Sequence, residues 1–259
     1  MSVIKARKWN LSGKKAFVTG GSKGIGKAIV SELLELGAEV VFTARNAEDI
    51  EKAVKQFEQK GRPVFGLAAD GVKSDHRRST ADWIGTHWGQ LDILVNNAGI
   101  NIRKPSNEYL AEEYRLVVET DLIAPFELSR ELFPLLEKSG RASVVNIASV
   151  AGMMDARTGA PYGMSKSGLI QLTRNLACEW APYNIRVNAV SPWFTRTPST
   201  GKVLSDPDKL NKIVSRTPFG RIAKDEEIAG AVAFLTMDKA SFITGQNLVV
   251  DGGATSSVL

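Results

Sequence analysis

The chain has 259 residues, 43% of them hydrophobic and 24% charged, a net charge of +5 and a single cysteine, Cys178. A chain of that size and balance can bury the core of one large domain. No run approaches the roughly 18 apolar residues of a membrane span, a lone cysteine forms no intrachain disulfide, and the charges of both signs are interspersed, which argues against a basic face for nucleic acid.

Residues 1–10 read as a flexible basic tail. No apolar stretch follows Lys5-Ala6-Arg7-Lys8, so the tail is not a secretory signal. Cysteine usage agrees with a reducing compartment, and a cytoplasmic location is expected. Beyond the tail, short apolar runs alternate with longer amphipathic segments. Lys15 to Thr19 reads as a strand and Ile25 to Leu36 as a helix ended by Gly37. Glu39 to Thr43 is a strand, and Ala47 to Gln59 a helix ended by Gly61. Val64 to Ala68 and Ile93 to Val95 are strands flanking a helix from Asp75 to Trp88. Glu108 to Lys138 is helical and bent near Pro125. Ser143 to Ala148 is a strand, and residues 160 to 181 form the next helix. Ile185 to Val190 is a strand, then an irregular stretch runs to about Arg221. Asp225 to Thr236 is a helix with Asp225 as its N-cap, and Leu248 to Val250 is the last strand. Such alternation means right-handed βαβ units. The expected fold is therefore α/β: a single doubly wound Rossmann-type domain over 11–259, with about seven parallel strands and helices on both faces. Ligands of such folds bind beyond the carboxyl ends of the strands.

The first βα turn is Thr19-Gly20-Gly21-Ser22-Lys23-Gly24-Ile25-Gly26. Glycines let a backbone approach a pyrophosphate, and the following helix offers free amides and a positive dipole end. Gly20, Ser22, Lys23, Gly24, Ile25 and Gly26 are therefore candidate dinucleotide contacts. NAD sites place a carboxylate at the end of the second strand. Here that place reads Thr43-Ala44-Arg45-Asn46. Arg45 can fork onto a phosphate and Lys23 can add a second cation, which suits the 2′-phosphate of NADP(H).

Tyr162 and Lys166 stand four residues apart in the helix expected over 160 to 181, and so share a face. Among the four tyrosines only Tyr162 has a lysine at that spacing. An ammonium beside a phenol favours phenolate, which fits an acid/base acting on a carbonyl or alcohol oxygen. Ser149 ends the strand before that helix.

Together these pieces resemble the short-chain dehydrogenase/reductases over about Leu11 to Gly253. The signatures are Thr19 to Gly26, Asn96-Asn97-Ala98-Gly99, Asn146-Ile147-Ala148-Ser149, Tyr162 to Lys166, Arg186-Val187-Asn188 to Pro192, and Val250-Asp251-Gly252-Gly253. Lys8-Trp9-Asn10-Leu11-Ser12-Gly13, with the glycine turn and Arg45-Asn46, looks like the tropinone-reductase-like branch. The resemblance implies that Tyr162 is the acid/base, that Ser149 holds the substrate oxygen, and that Lys166 binds the nicotinamide ribose. It also implies that Asn97, Ala98 and Gly99 meet the adenosine side, that Asp70 meets the adenine, that Pro192 and Thr195 meet the cofactor, and that Thr197 meets the nicotinamide carboxamide. Ile100, Met153, Asp155, Trp193 and Phe194 fall where the family contacts substrate, and residues 193–221 form the candidate substrate loop.

Two departures stand out. Asp121 occupies the place where the family usually has a catalytic asparagine; its backbone carbonyl can still hold a relay water. Trp193 replaces the usual glycine after Pro192. The implied reaction is NADP(H)-dependent interconversion of a ketone and a secondary alcohol. A 3-oxoacyl-thioester or sugar reductase shares every motif. The competing reading is a non-catalytic dinucleotide-binding protein, which has no need of Ser149, Tyr162 and Lys166 together. The family suggests a homotetramer or homodimer. No nucleic-acid or membrane partner is expected, and no metal, since His76, His87 and one cysteine do not make a zinc site.

Overall fold

The structure is a computed structural model and describes residues 9–58, 61 and 63–257. The basic cluster of the expected tail therefore lies outside the described residues. Among them, seven strands form one parallel sheet in the order β3-β2-β1-β4-β5-β6-β7. The strands are β1 (Lys15–Thr19), β2 (Glu39–Ala44), β3 (Val64–Ala68), β4 (Ile93–Asn96), β5 (Ser143–Ile147), β6 (Arg186–Pro192) and β7 (Asn247–Val250). The helices are α1 (Gly24–Glu35), α2 (Ala47–Glu58), α3 (Ser74–Trp88), α4 (Ala111–Val118), α5 (Ala124–Ser139), α6 (Ala160–Trp180), α7 (Gly201–Leu204), α8 (Pro207–Ser215) and α9 (Asp225–Thr236).

Period-two alternation sorts each strand between two cores. Ala16 and Val18, Val40 and Phe42, and Ile93 and Val95 face Ile29, Leu33, Ile50, Phe57, Ile228 and Val232 of α1, α2 and α9. Phe17, Val41, Leu94 and Val144 face Ile84, Leu132, Leu136, Leu176 and Trp180 of α3, α5 and α6. Burial on both faces is why β1, β2, β4 and β5 read as continuous apolar runs. The order reverses between β1 and β4, and that switch point opens a crevice at their carboxyl ends.

Three expectations need correction. The helix expected from Glu108 begins at Ala111, and its irregularity precedes Pro125: residues Glu119–Ile123 form a π segment in which the Ala124 N–H reaches back to the Glu119 carbonyl. Pro125 has no N–H to give the carbonyl one turn before it, that of Asp121, so the regular ladder cannot pass. The stretch before Arg221 holds two helices, α7 and α8; Asp206 caps α8 by accepting from the backbone N–H groups of Asp208 and Lys209. Finally, Lys224 rather than Asp225 is the N-cap of α9, and Glu227 accepts its backbone N–H at 2.9 Å.

Candidate active site

The ends of β1 and β4 are stapled together. The Thr19 hydroxyl accepts the backbone N–H of Asn97 and that of Ala98, both at 2.9 Å. The Asn97 amide donates to the Thr19 carbonyl at 2.8 Å. A Cβ on Gly26 would collide with the Gly20 carbonyl and with this amide, so close approach of α1 to the strands demands glycine there. Gly24 turns the chain with φ +52°, where a side chain is strained. Lys23, the N-cap of α1, gives no side-chain cap, and the first turn has no acidic residue. Among the described residues, the first amides of α1 thus have no capping side chain and no acid in their own first turn to receive them.

This turn forms one end of a cleft of about 680 Å³. Every residue expected to meet the dinucleotide lines it: the glycine turn, Arg45, Asp70, Asn97 to Gly99, Tyr162, Lys166, Pro192, Thr195 and Thr197. Arg45 is exposed at the end of β2. Lys23 is not a free cation, because Asp49 from the first turn of α2 pairs with it at 2.7 Å. Asp70 sits on a loop that two neighbouring residues of α3 hold in place. His76 Nδ1 accepts the Asp70 backbone N–H at 2.9 Å, which fixes its tautomer as protonated on Nε2 when neutral. Buried Arg77 donates to the carbonyls of Gly71 at 2.9 Å and Val72 at 3.0 Å, and pairs with Glu131 on α5 at 3.3 Å.

Ser149, Tyr162 and Lys166 line the same cleft. Ser149 leaves β5 in extended conformation and accepts the Ala151 N–H on its hydroxyl oxygen at 3.1 Å. The following turn, Val150–Gly152, lies flat on α6: a Cβ on Gly152 would sit 2.6 Å from the Lys166 carbonyl carbon. That contact brings Ser149 to the helix face that carries Tyr162 and Lys166. The buried Lys166 ammonium donates to the Ile147 carbonyl at 3.0 Å and lies 5.5 Å from the centre of the Tyr162 ring. Behind it is the Asp121 carboxylate, fully buried, with Oδ2 at 3.8 Å from Lys166 Nζ and Oδ1 accepting the Ile100 N–H at 2.8 Å. Burial pushes the Asp121 carboxyl above its ordinary range, while Lys166 and then the Ile100 amide pull it back.

A family model described as enoyl-(acyl carrier protein) reductase matches residues 20–255. The chain is 44% identical over 250 residues to a tropinone reductase homolog of Arabidopsis thaliana, covering 96% of this chain and 95% of the other. The chain belongs to the short-chain dehydrogenase/reductase family. It is similar in structure to a gluconate 5-dehydrogenase from Burkholderia cenocepacia in complex with NADP and tartrate, with TM-score 0.93, 30% identity, and 97% and 99% of the two chains covered. It is also similar to a 7α-hydroxysteroid dehydrogenase complexed with NADH and 7-oxo glycochenodeoxycholic acid, with TM-score 0.92, 32% identity, and 97% and 98% covered.

In this short-chain dehydrogenase/reductase the expected substrate residues separate. Ile100 and Trp193 line the cleft. Trp193 is held by its indole N–H, which donates to Thr217 Oγ1 at 3.1 Å, and by the edge of Phe194 at 4.9 Å between ring centres. Phe194 thus buttresses the wall rather than forming it, and neither Met153 nor Asp155 lines this cleft. Met153 is exposed, with its sulfur accepting from the Asn247 amide at 2.9 Å. Asp155 caps its own turn through the Arg157 N–H at 2.8 Å, and lines a smaller pocket of about 400 Å³ with Lys104 and Met154. Asp121 is beneath the wall, not in it. The cleft also takes in Asp49, His76, Arg103 and residues Pro198 to Thr200, to which the sequence reading gave no binding role. Asp49 had a legible signal, lying four residues after Arg45 in the first turn of a helix that starts at the same crevice. Arg103 had none. Among the described residues no group of His, Cys, Asp or Glu is placed to hold a metal, and no helix is long and apolar enough to cross a membrane.

Proposed function

We propose that this protein interconverts a small-molecule ketone and its secondary alcohol with NADP(H), using Tyr162 as acid and base. The observation that carries this reading is a convergence. Ser149, Tyr162 and Lys166 line the same cleft as the glycine turn. A non-catalytic binder has no use for that register. Three features fit a dinucleotide: the uncapped amides of α1, the crevice at the sheet's switch point, and the absence of any carboxylate at the end of β2. Arg45 favours the form with a 2′-phosphate. The gluconate 5-dehydrogenase bound to NADP supports the same choice; the hydroxysteroid dehydrogenase bound to NADH supports a dinucleotide of either kind.

The nicotinamide, once bound, supplies or accepts the hydride. The chain's residues handle the proton and the geometry. Tyr162 gives its phenolic proton to the carbonyl oxygen in reduction and takes it from the alcohol in oxidation. The Ser149 hydroxyl, whose oxygen already accepts from Ala151, has its own hydrogen free to donate to that same oxygen. Lys166, anchored on the Ile147 carbonyl, holds the ribose hydroxyls and its charge favours phenolate. Ile100 and Trp193 close the apolar side of the pocket.

Around this site, residues 11–259 act as one domain, with residues 193–221 as the loop that closes over substrate. Ile123, Phe126 and Met164, exposed on the π segment, α5 and α6, support self-association as a homotetramer or homodimer. Cysteine usage agrees with a reducing compartment, and the cytoplasm is the location this reading takes. The test is oxidation of NADPH against NADH by the purified protein over tropinone, small cyclic ketones, diketones, keto sugars and a β-ketoacyl thioester. NADPH-dependent turnover of a simple ketone supports the reading. Turnover of the β-ketoacyl thioester alone would narrow it to a 3-oxoacyl-thioester reductase, and tight NADPH binding without turnover would favour a binding protein.

A further inference from the structure

The roles given to Ser149, Tyr162 and Lys166 leave one buried ionisable group beside them unexplained. Asp121 is fully buried, and its Oδ2 has no hydrogen-bond partner among the described residues. The nearest cation is Lys166, 3.8 Å away and 4% exposed. Two oppositely charged groups this close, both out of water, are each other's main electrostatic partner. Lys166 is the charged side chain that acts on Asp121. The groups facing the pair are few. The π segment gives Asp121, and α6 gives Lys166 and Tyr162. The loop after β4 and the end of β5 give only backbone, the Ile100 N–H and the Ile147 carbonyl.

Seen from the Tyr162 phenol, a lone Lys166 is a cation that favours phenolate. With an ionised carboxylate behind it, the same lysine becomes half of a dipole, and part of its pull on the phenol is cancelled. An amide of the same shape would leave the pull intact. We propose that Asp121 is a positioning residue whose carboxylate offsets the Lys166 charge felt by Tyr162, so that Tyr162 keeps its proton to a higher pH than Lys166 alone would permit. This rests on Tyr162 being the acid/base of the proposed reaction. The loss of reductive activity with rising pH and the gain of oxidative activity then both lie about one pH unit higher than with a neutral residue at 121, tenfold in rate on that limb.

The test is an ultraviolet difference titration of the Tyr162 phenolate, read as each protein minus its own Tyr162→Phe counterpart, with saturating NADP⁺ added. Asp121→Asn and Asp121→Ser both remove the charge, the first without a change of shape. The midpoint falls by about one unit in each folded variant if the proposal holds. Midpoints equal to or above that of the wild type overturn it. The readout needs no substrate, so it stands apart from the functional reading. Turnover retained in Tyr162→Phe would sink that reading, whereas a phenolate that ignores Asp121 sinks this inference alone.

Discussion

Lys23 and Asp49 form an ion pair, 2.7 Å from Nζ to Oδ2, at the rim of the cleft. The lysine side chain is 57% exposed and the carboxylate 25%. The pair therefore halves the positive charge that the glycine turn and the end of β2 together present, and leaves Arg45 as the cation there with no ion pair among the described residues.

Arg45→Asp weakens NADPH at least about tenfold more than NADH, the loss expected for a hydrogen bond between charged groups. Asp49→Asn frees Lys23 and tightens NADPH while leaving NADH unchanged. Calorimetric titration of both cofactors into both variants checks the pair, and equal effects on NADH and NADPH contradict a 2′-phosphate contact.

Tyr162→Phe keeps the ring and removes the proton. Turnover drops by about 10² to 10⁴, the range of general acid–base catalysis. Dissociation constants for NADPH stay the same. Steady-state kinetics with a fluorescence titration separates the two quantities.

Gly152→Ala tests how Ser149 reaches the helix. The added Cβ meets the Lys166 carbonyl carbon at 2.6 Å and the Ser167 nitrogen at 2.7 Å. Backbone cannot give way as a side chain tip can, so the turn lifts from α6. Overpacking of this kind costs about 1 to 3 kcal/mol. We expect kcat to fall, with NADPH affinity retained because the glycine turn is untouched. Unchanged kcat would show that Ser149 is placed by other contacts.

Arg77→Leu removes the side chain that ties the Gly71 and Val72 carbonyls to α5. Glu131, whose carboxylate is 17% exposed, loses its partner. Breaking such a buried pair destabilises by about 3 to 5 kcal/mol. Urea unfolding reads that loss, and a raised NADPH dissociation constant reads the loosened Asp70 loop. A stability change near zero would show that Arg77 does not hold the loop.

Glu227 gives a pH signature. Its carboxyl falls from an ordinary 4.5 to about 2, first through its hydrogen bond to Arg221 and then through the Lys224 backbone N–H. A depressed value means stability that is full above about 4.5 and lost as pH falls through about 2. Both partners are over a third exposed, 49% and 40%, so solvent screens most of this contribution and the effect is small. Glu227→Gln therefore lowers Tm at neutral pH, and the gap from wild type closes between those two pH values. A gap that persists at low pH would assign the effect to helix packing instead.

The strands and most helices were legible because a parallel sheet covered on both faces writes itself as apolar runs separated by amphipathic ones. Asn97 and Ser149 were legible because each closes a strand on the crevice side. The helices at 201–215 were not: each is short, and α8 shows its N-cap, Asp206, only beside Pro207. The π segment was hidden for a similar reason. Pro125 announces a break, but which carbonyls re-pair is decided by the packing of the helix against α6.

By itself, the sequence determined the α/β class, the glycine turn, the Tyr162–Lys166 spacing and the lack of a carboxylate after β2. These are local properties: hydrophobic period, backbone freedom and side chains four apart on one helix. Only the tertiary structure decided that Asp49 neutralises Lys23, that Met153 and Asp155 stand away from the main cleft, and that Asp121 is a buried carboxyl beside Lys166. Each of these depends on distances between residues far apart in the chain, and on how much water the folded surroundings exclude from a charge.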